Sequence, residues 1–266
     1  MSKRTADRLG DPLCRPTGGL LRPWVLSACL GLALLPPPAW AASPATGETA
    51  EPWSFKFTPS VYVESAQPKA TDLNLRANRG DQTLWVGHYN RGSDFEQTRL
   101  GYEYTYKASF GQVVPSLQVA SRGFAGASVT AQIGSESVWA IVGFGRTNLK
   151  PYYNLNFDPN DSVVLGLGVR PRQQTVLSAF MVVDDRLDTD QKVVHAVWRE
   201  WFDGRRRLTL DLAWRQGRAV PGEPEIRGDA ISVGFDYQDV FVRIVRDRKV
   251  NFTQSDQSRF ALGVRF

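Results

Sequence analysis

Apolar and polar residues alternate with a period of two through most of the chain after residue 50. In residues 99–107 one face carries Leu100, Tyr102, Tyr104 and Tyr106, and the other face is polar. The same alternation recurs in 127–133, 208–215, 231–237 and 259–266. Because successive side chains of a β-strand point to opposite faces, this pattern indicates strands with one apolar and one polar face. No helical periodicity of useful length survives beside it, so the sequence predicts an all-β protein.

Turn-forming residues divide the chain after residue 53 into about fourteen short segments. The predicted strands are 54–65, 70–78, 81–90, 96–108, 111–121, 124–133, 137–147, 161–170, 173–183, 191–202, 205–216, 228–237, 240–248 and 257–266. Each is roughly the length that a tilted strand needs to cross a bilayer.

The connections between these strands alternate in length. Asp203-Gly204 is a strong signal for a tight hairpin, whereas 148–160 and 217–227 are long and polar. Short turns at one end and longer loops at the other are typical of transmembrane β-barrels. The sequence therefore predicts an antiparallel up-and-down barrel of about 12–14 strands, and fourteen would place both termini at the short-turn end.

A soluble β-sandwich or lipocalin-like barrel is the alternative, since it would also alternate. Aromatic residues near strand ends favour the membrane barrel, because such residues form girdles at the membrane interfaces. The residues concerned are Trp85, Tyr89, Tyr102, Tyr104, Tyr106, Trp139, Trp198, Trp201, Trp214 and Tyr237.

Residues 1–41 have the organisation of a cleaved export signal. A basic leader ends at Arg22, an apolar run follows over 24–35, and Ala39-Trp40-Ala41 supplies a small-x-small cleavage pattern. The run is too short to span a membrane as a helix. Leu26-Ser27-Ala28-Cys29 offers the alternative of lipidation at Cys29. The sequence thus predicts a signal at 1–41, a periplasmic segment at 42–53 and a barrel at 54–266.

Net charge gives little support for a nucleic-acid partner. The chain has 32 Lys and Arg against 27 Asp and Glu, a net charge of +5. Five basic and two acidic residues lie in 1–41, so most of the excess leaves with the signal. Both cysteines, Cys14 and Cys29, lie there too, which excludes a thiol, a disulfide or a cysteine-ligated metal in the remainder.

The last strand resembles the closing strand of bacterial outer-membrane β-barrel proteins. It ends in phenylalanine and has apolar residues at alternate positions before it: Phe260, Leu262, Val264 and Phe266. The resemblance implies a porin-like barrel in the outer membrane of a Gram-negative bacterium. It also implies recognition of these residues by the outer-membrane assembly machinery, with outer-membrane lipids and lipopolysaccharide as surroundings.

Charged residues on the polar faces are expected to line the barrel interior, because Arg or Lys facing lipid at mid-membrane costs ~2–4 kcal/mol. The inferred lining residues are Arg99, Glu103, Lys107, His195, Arg199, Asp211, Arg215, Asp236, Arg243, Arg259 and Arg265. Cations exceed anions in this set. The sequence therefore favours a narrow channel for small polar or anionic solutes, with Arg99 and Arg215 as the best candidates for setting selectivity.

Two other functions stay open. His88 or His195 could act as the general base of a lipid-modifying hydrolase, although neither lies in a recognisable hydrolase motif. A non-conducting structural or adhesion barrel is the second alternative. Loop 150–161 is rich in Asn and Asp, but it lacks the spacing of a helical calcium loop and is interpreted as a turn-rich loop. No metal site or cofactor is expected.

Overall fold

The computed structural model describes residues 51–266, which form a closed antiparallel β-barrel. The strands are β1 (Ser54–Glu64), β2 (Ala70–Arg79), β3 (Gln82–Asn90), β4 (Glu96–Tyr104), β5 (Tyr106–Ala108), β6 (Gly111–Ala120), β7 (Phe124–Gly134), β8 (Val138–Thr147), β9 (Ser162–Arg172), β10 (Thr175–Asp184), β11 (Lys192–Trp201), β12 (Arg206–Gly217), β13 (Ile226–Tyr237), β14 (Val240–Asp247) and β15 (Gln257–Arg265). β4 and β5 both pair with β6 and form one barrel strand interrupted at Thr105. The barrel thus has 14 strands, which confirms the predicted fold.

The barrel closes between its first and last strands. Each strand pairs with its chain neighbours, and β1 pairs antiparallel with β15. Phe55 and Phe266 exchange two backbone hydrogen bonds of 2.7 and 3.0 Å, and their rings stack with centroids 5.6 Å apart. Because the barrel is closed, no strand edge is left unpaired. A sheet can lie in hydrocarbon only if its backbone N–H and C=O groups are paired in this way. The proposed signal at 1–41 lies outside the described residues.

The two ends of the barrel differ in their connections. The short-turn end carries both barrel termini and the turns 80–81, 109–110, 135–137, 173–174, 202–205 and 238–239. The loop end carries 65–69, 91–95, 121–123, 148–161, 185–191, 218–225 and 248–256. Two short 3-10 turns lie in these loops, and no helix among residues 51–266 is long and apolar enough to cross a membrane.

The outer surface is apolar and the interior is polar. Leu100, Leu165 and Leu262 are 51%, 55% and 56% exposed on the outside. Asp72 and Arg99, which alternate onto the inner face, are only 5% and 4% exposed. This is the reverse of a soluble barrel, whose apolar residues face inward. A surface of this kind fits hydrocarbon, and the barrel therefore has the organisation of a membrane-spanning protein.

Aromatic residues divide between the two faces. Near the short-turn end an outward belt contains exposed Tyr104, Tyr106, Phe202, Tyr237 and Phe266. The prediction that all the aromatics near strand ends form girdles was wrong for four of them, because their position in the alternation turns them inward: Trp85, Tyr89, Trp139 and Trp201. The indole rings of two of these tryptophans cover glycines on adjacent strands, where an added Cβ would lie 2.2 Å from the ring.

Candidate functional site: the barrel lumen

A cavity of about 700 Å³ occupies the lumen. Among the described residues that line it, ten are Lys or Arg and three are Asp or Glu. The cations are Lys56, Arg76, Arg99, Lys107, Arg146, Arg199, Arg207, Arg243, Arg259 and Arg265, and the carboxylates are Asp72, Asp81 and Glu103. The cavity therefore has a strong excess of positive charge.

The charges are unevenly distributed around the barrel. The inward residues of β11–β15, β1 and β2 include most of these cations, and we call this side the cationic wall. The inward residues of β6, β7 and β8 carry no charge, and we call this side the uncharged wall; those that line the cavity include Gln112, Ser116, Gln118, Ser128 and Thr147. Arg146 of β8 borders the cavity but alternates to the outer face, where its guanidinium lies 3.9 Å from the centroid of the Phe144 ring and pairs with Asp185 at 2.6 Å. In the closed ring β13–β15 lie about seven strands from β6–β8, so the two walls face each other.

The structure places each charge predicted to face inward on the inner face of the barrel. Arg99, Glu103 and Lys107 line the large cavity together with Arg243, Arg259 and Arg265. His195, Asp211 and Arg215 line a second cavity of about 100 Å³ nearer the loop end, and Arg199, Arg243 and Arg259 border both cavities. Asp236 lies between Arg207 and Arg265. Their effect on a solute stays a prediction.

Near the loop end the cations are neutralised by buried carboxylates. Arg99 donates to Asp72 at 2.7 Å, and Arg215 lies 2.8 Å from Asp247. These four side chains are at most 7% exposed. Sequence reasoning missed both carboxylates, although their positions in the alternation could have indicated them. Arg99 and Arg215 are thus structural ion pairs, and they are poorer candidates for setting selectivity than the sequence suggested.

Near the short-turn end the cations outnumber their partners. Arg207 and Arg265 both bond to Oδ1 of Asp236. The Lys56 ammonium lies 4.6 Å from the centroid of the Phe241 ring, and the Arg265 guanidinium lies 4.8 Å from the same centroid. Arg243, two residues after Phe241 on the same face of β14, has no ion-pair or hydrogen-bond partner among residues 51–266. This half of the lumen therefore carries uncompensated positive charge.

Loop 148–161 folds into the barrel. Tyr152, Asn154, Phe157, Asp158 and Asn160 are all 7% exposed or less. Tyr152 stacks on Phe124 of the uncharged wall, with ring centroids 4.2 Å apart. The sequence analysis interprets residues 150–161 as a turn-rich loop and does not predict this inward course. The loop turns inward because its aromatic and amide groups find partners on the inner faces of several strands.

Specific hydrogen bonds hold this loop across the lumen. The Gln97 amide donates to the Tyr153 carbonyl at 2.9 Å and accepts from the Tyr153 N–H at 2.8 Å. Arg259 donates to the Leu155 carbonyl at 3.1 Å from the opposite side of the barrel. Burial raises the pKa of the Tyr153 phenol well above its usual value.

His195 joins the loop to the barrel wall. Its Nε2 lies 3.0 Å from Asp158 of the loop, and its Nδ1 lies 3.0 Å from Asp211 of β12. Its ring also stacks on Phe180, with centroids 4.7 Å apart. Both ring nitrogens therefore have carboxylate partners, which leaves neither available as a base to a serine hydroxyl.

His88 lies elsewhere. Its alternation position places it on the outer face of β3, where its Nδ1 lies 3.0 Å from the Thr98 hydroxyl. The two histidines are thus on opposite faces of the wall and cannot share one site. Among residues 51–266 no group of three or more His, Cys, Asp or Glu side chains is arranged to hold a metal ion.

The fold is shared with a solved outer-membrane protein. Outer membrane protein Omp33 of Acinetobacter baumannii superposes with a TM-score of 0.53 and 8% identity, covering 82% of this chain and 100% of that one. A loop-deletion mutant of OmpT from Vibrio cholerae gives a TM-score of 0.48 and 7% identity over 81% and 98% of the two chains. The KdgM porin, solved in complex with disordered oligogalacturonate, gives 0.44 and 10% over 79% and 98%.

This likeness concerns architecture. The chain has the fold of outer-membrane β-barrels. Its sequence matches no protein-family model and no curated protein.

Proposed function

We propose that the chain is a narrow outer-membrane channel for small polar or anionic solutes. The observation that carries the proposal is the lumen cavity, whose lining has ten cations and three carboxylates among the described residues. Excess positive charge in a confined pore lowers the barrier for anions and raises it for cations. An apolar exterior keeps this charged interior in the membrane.

Loop 148–161 is the constriction of this channel. Its residues Leu155 and Asn156 border both the large cavity and the smaller one beside His195. The loop thus separates the lumen into two chambers. Contacts from Gln97, Arg259 and His195 fix its position on three sides.

Single-channel recording of the purified, refolded protein in planar bilayers tests the proposal. A steady current with a reversal potential that indicates anion preference supports it, and silence at every voltage contradicts it. His195→Gln should increase conductance or current noise, since Asp158 of the loop loses the imidazole that joins it to Asp211 of β12. His88→Gln is the matched control, because this histidine faces outward, and should leave the current unchanged.

The proposal includes a location and an orientation. Residues 1–41 direct export and are removed near Ala42, the short-turn end faces the periplasm, and the loop end faces lipopolysaccharide. Mass spectrometry of the protein from outer membranes tests the first point. A lipid-modified N-terminus at Cys29 would overturn it.

Assembly depends on the terminal strand in this proposal. Phe260, Leu262, Val264 and Phe266 form its outward apolar face and would be recognised by the assembly machinery. Deleting Phe266 should lower outer-membrane yield far more than deleting Asn156, since Phe266 also closes the barrel against Phe55. Equal yields would refute this role.

A further inference from the structure

Four cations of the cationic wall surround a single carboxylate. Arg207 and Arg265 both pair with Asp236. The cationic groups of Lys56 and Arg265 lie over the ring of Phe241. Arg243 lies two residues after Phe241, on the same face of β14. Lys56 is also directly opposite Arg265 on β15 and Arg76 on β2 in the strand register. Arg76 has its own partner in Glu103, at 3.3 Å. The group Lys56, Arg207, Arg243 and Arg265 therefore keeps three positive charges without a counter-charge among the described residues.

Such a group is unfavourable when it is empty. Like charges directly opposite each other on neighbouring strands destabilise a sheet. The four side chains are half-buried, so they are partly removed from water and still accessible from the lumen. A ligand with more than one negative charge would relieve this repulsion better than a monovalent anion, because each added charge pairs with a further cation.

The opposite side of the cavity offers neutral hydrogen-bonding groups. Gln112, Ser116, Gln118 and Ser128 line it from the uncharged wall, and Asn156 lines it from loop 148–161. These amides and hydroxyls both donate and accept hydrogen bonds, which suits a solute rich in hydroxyl groups. The cavity volume of about 700 Å³ lies within the range of pockets that hold small organic molecules.

We propose that Lys56, Arg207, Arg243 and Arg265 form a binding site for a phosphate monoester on a polyhydroxylated skeleton, that is, a sugar phosphate. A phosphate monoester carries about −1.5 to −2 charge at neutral pH and three strong acceptor oxygens. Its phosphate binds the guanidinium and ammonium groups, and its hydroxyls face the uncharged wall. This inference rests on the proposed channel and names its solute class.

Isothermal titration calorimetry of the full-length protein in detergent tests the site without requiring a current. The probes are glucose 6-phosphate, glucuronate, inorganic phosphate and glucose. We expect glucose 6-phosphate to bind at least about tenfold more tightly than glucuronate, because it places more charge on the cations. Equal affinities for these two probes would overturn the preference for a dianion. Inorganic phosphate binding as tightly as glucose 6-phosphate would overturn the role of the uncharged wall.

Variants locate the site. Arg243→Gln and Lys56→Gln should each weaken glucose 6-phosphate binding about tenfold or more, and Arg243→Lys should retain part of it. Arg206→Gln is the matched control, since Arg206 lies on the outer face of β12 and pairs with Asp203 at 2.8 Å. Circular dichroism verifies that each variant is folded. Unchanged affinity in both glutamine variants would overturn the site.

Conductance then separates the two proposals. An anion-selective wild-type current that glucose 6-phosphate leaves unaffected, together with no calorimetric binding, overturns this inference and leaves the channel intact. Calorimetric binding without any current supports the site and contradicts the channel.

Discussion

The cationic wall and the uncharged wall belong to one barrel and share the same outer surface, yet their inner faces differ. On the cationic wall Arg243 projects from β14 beside small residues such as Gly234, its register partner on β13. On the uncharged wall the Trp139 ring of β8 covers Gly168 of β9. Lipid therefore requires apolar outer residues on every strand, whereas the inner residues differ from one side of the barrel to the other.

The largest effect is expected from breaking a buried ion pair of the cationic wall. Asp247→Asn leaves the Arg215 guanidinium, which is 2% exposed, without its carboxylate. Removing one partner of a buried pair typically lowers the free energy of unfolding by about 3–5 kcal/mol. Urea unfolding in lipid vesicles measures it. Arg206→Gln, which removes an exposed pair, should change stability little, and equal losses would mean that burial does not distinguish the pairs.

A smaller loss is expected from adding one methyl group where a tryptophan covers a glycine. In Gly168→Ala the new Cβ would lie 2.2 Å from the Trp139 ring, so the indole must move. Overpacking of this kind costs about 1–3 kcal/mol. Gly234→Ala on the cationic wall is the control, because its nearest neighbour atom is 3.8 Å away. Both variants are compared by the same unfolding assay, and an equal cost at the two glycines would contradict the difference in packing between the walls.

Two substitutions that each change the lumen by one charge compare how much the cationic wall and the uncharged wall contribute to anion selectivity. Arg243→Gln and Gln118→Glu each make the same cavity more negative by one charge. We expect Arg243→Gln to reduce the anion-to-cation permeability ratio more, by roughly twofold or more, since a charge close to the path of an ion changes its energy by about RT or more. Reversal potentials in a salt gradient measure both. Equal reductions would show that only the total lumen charge matters.

The smallest effect is that of salt on the wild-type channel. Anion preference should fall between 0.1 M and 1 M salt, because the Debye length decreases from about 10 Å to about 3 Å. Part of the preference should persist, since the partly buried cations are screened less than exposed ones. Reversal potentials at matched gradients and increasing mean salt check this. An anion preference that does not change with salt concentration would indicate that pore size, rather than lumen charge, sets the selectivity.

Turn residues at the surface behave independently of the lumen. Asp203 lies in the tight turn between β11 and β12, where the Arg205 N–H donates to its carboxylate at 2.8 Å. This hydrogen bond lowers the pKa of Asp203 below its usual value. The Asp-Gly signal that located this turn in the sequence therefore has a local cause, which explains why the turn was predictable.

Strand positions and the inward direction of the charges were also predictable. Alternation over 99–107 assigns Leu100 and Arg99 to opposite faces, because a β-strand has a period of two and hydrocarbon excludes charge. The partners of those charges were not predictable. Asp72 lies 27 positions before Arg99 in the chain, and only the antiparallel registers of β2, β3 and β4 bring the two together.

The strands, the apolar exterior and the closing strand that ends at Phe266 could all be predicted from the sequence, since each depends on local periodicity and on the solvent outside. Only the three-dimensional structure shows that loop 148–161 turns inward and that His195 joins Asp158 to Asp211. It also shows that Lys56 and Arg243 have no ion-pair partner among residues 51–266. These features depend on which residues meet across a closed ring. Contacts between strands far apart in sequence are fixed by register and closure, and no local pattern encodes them.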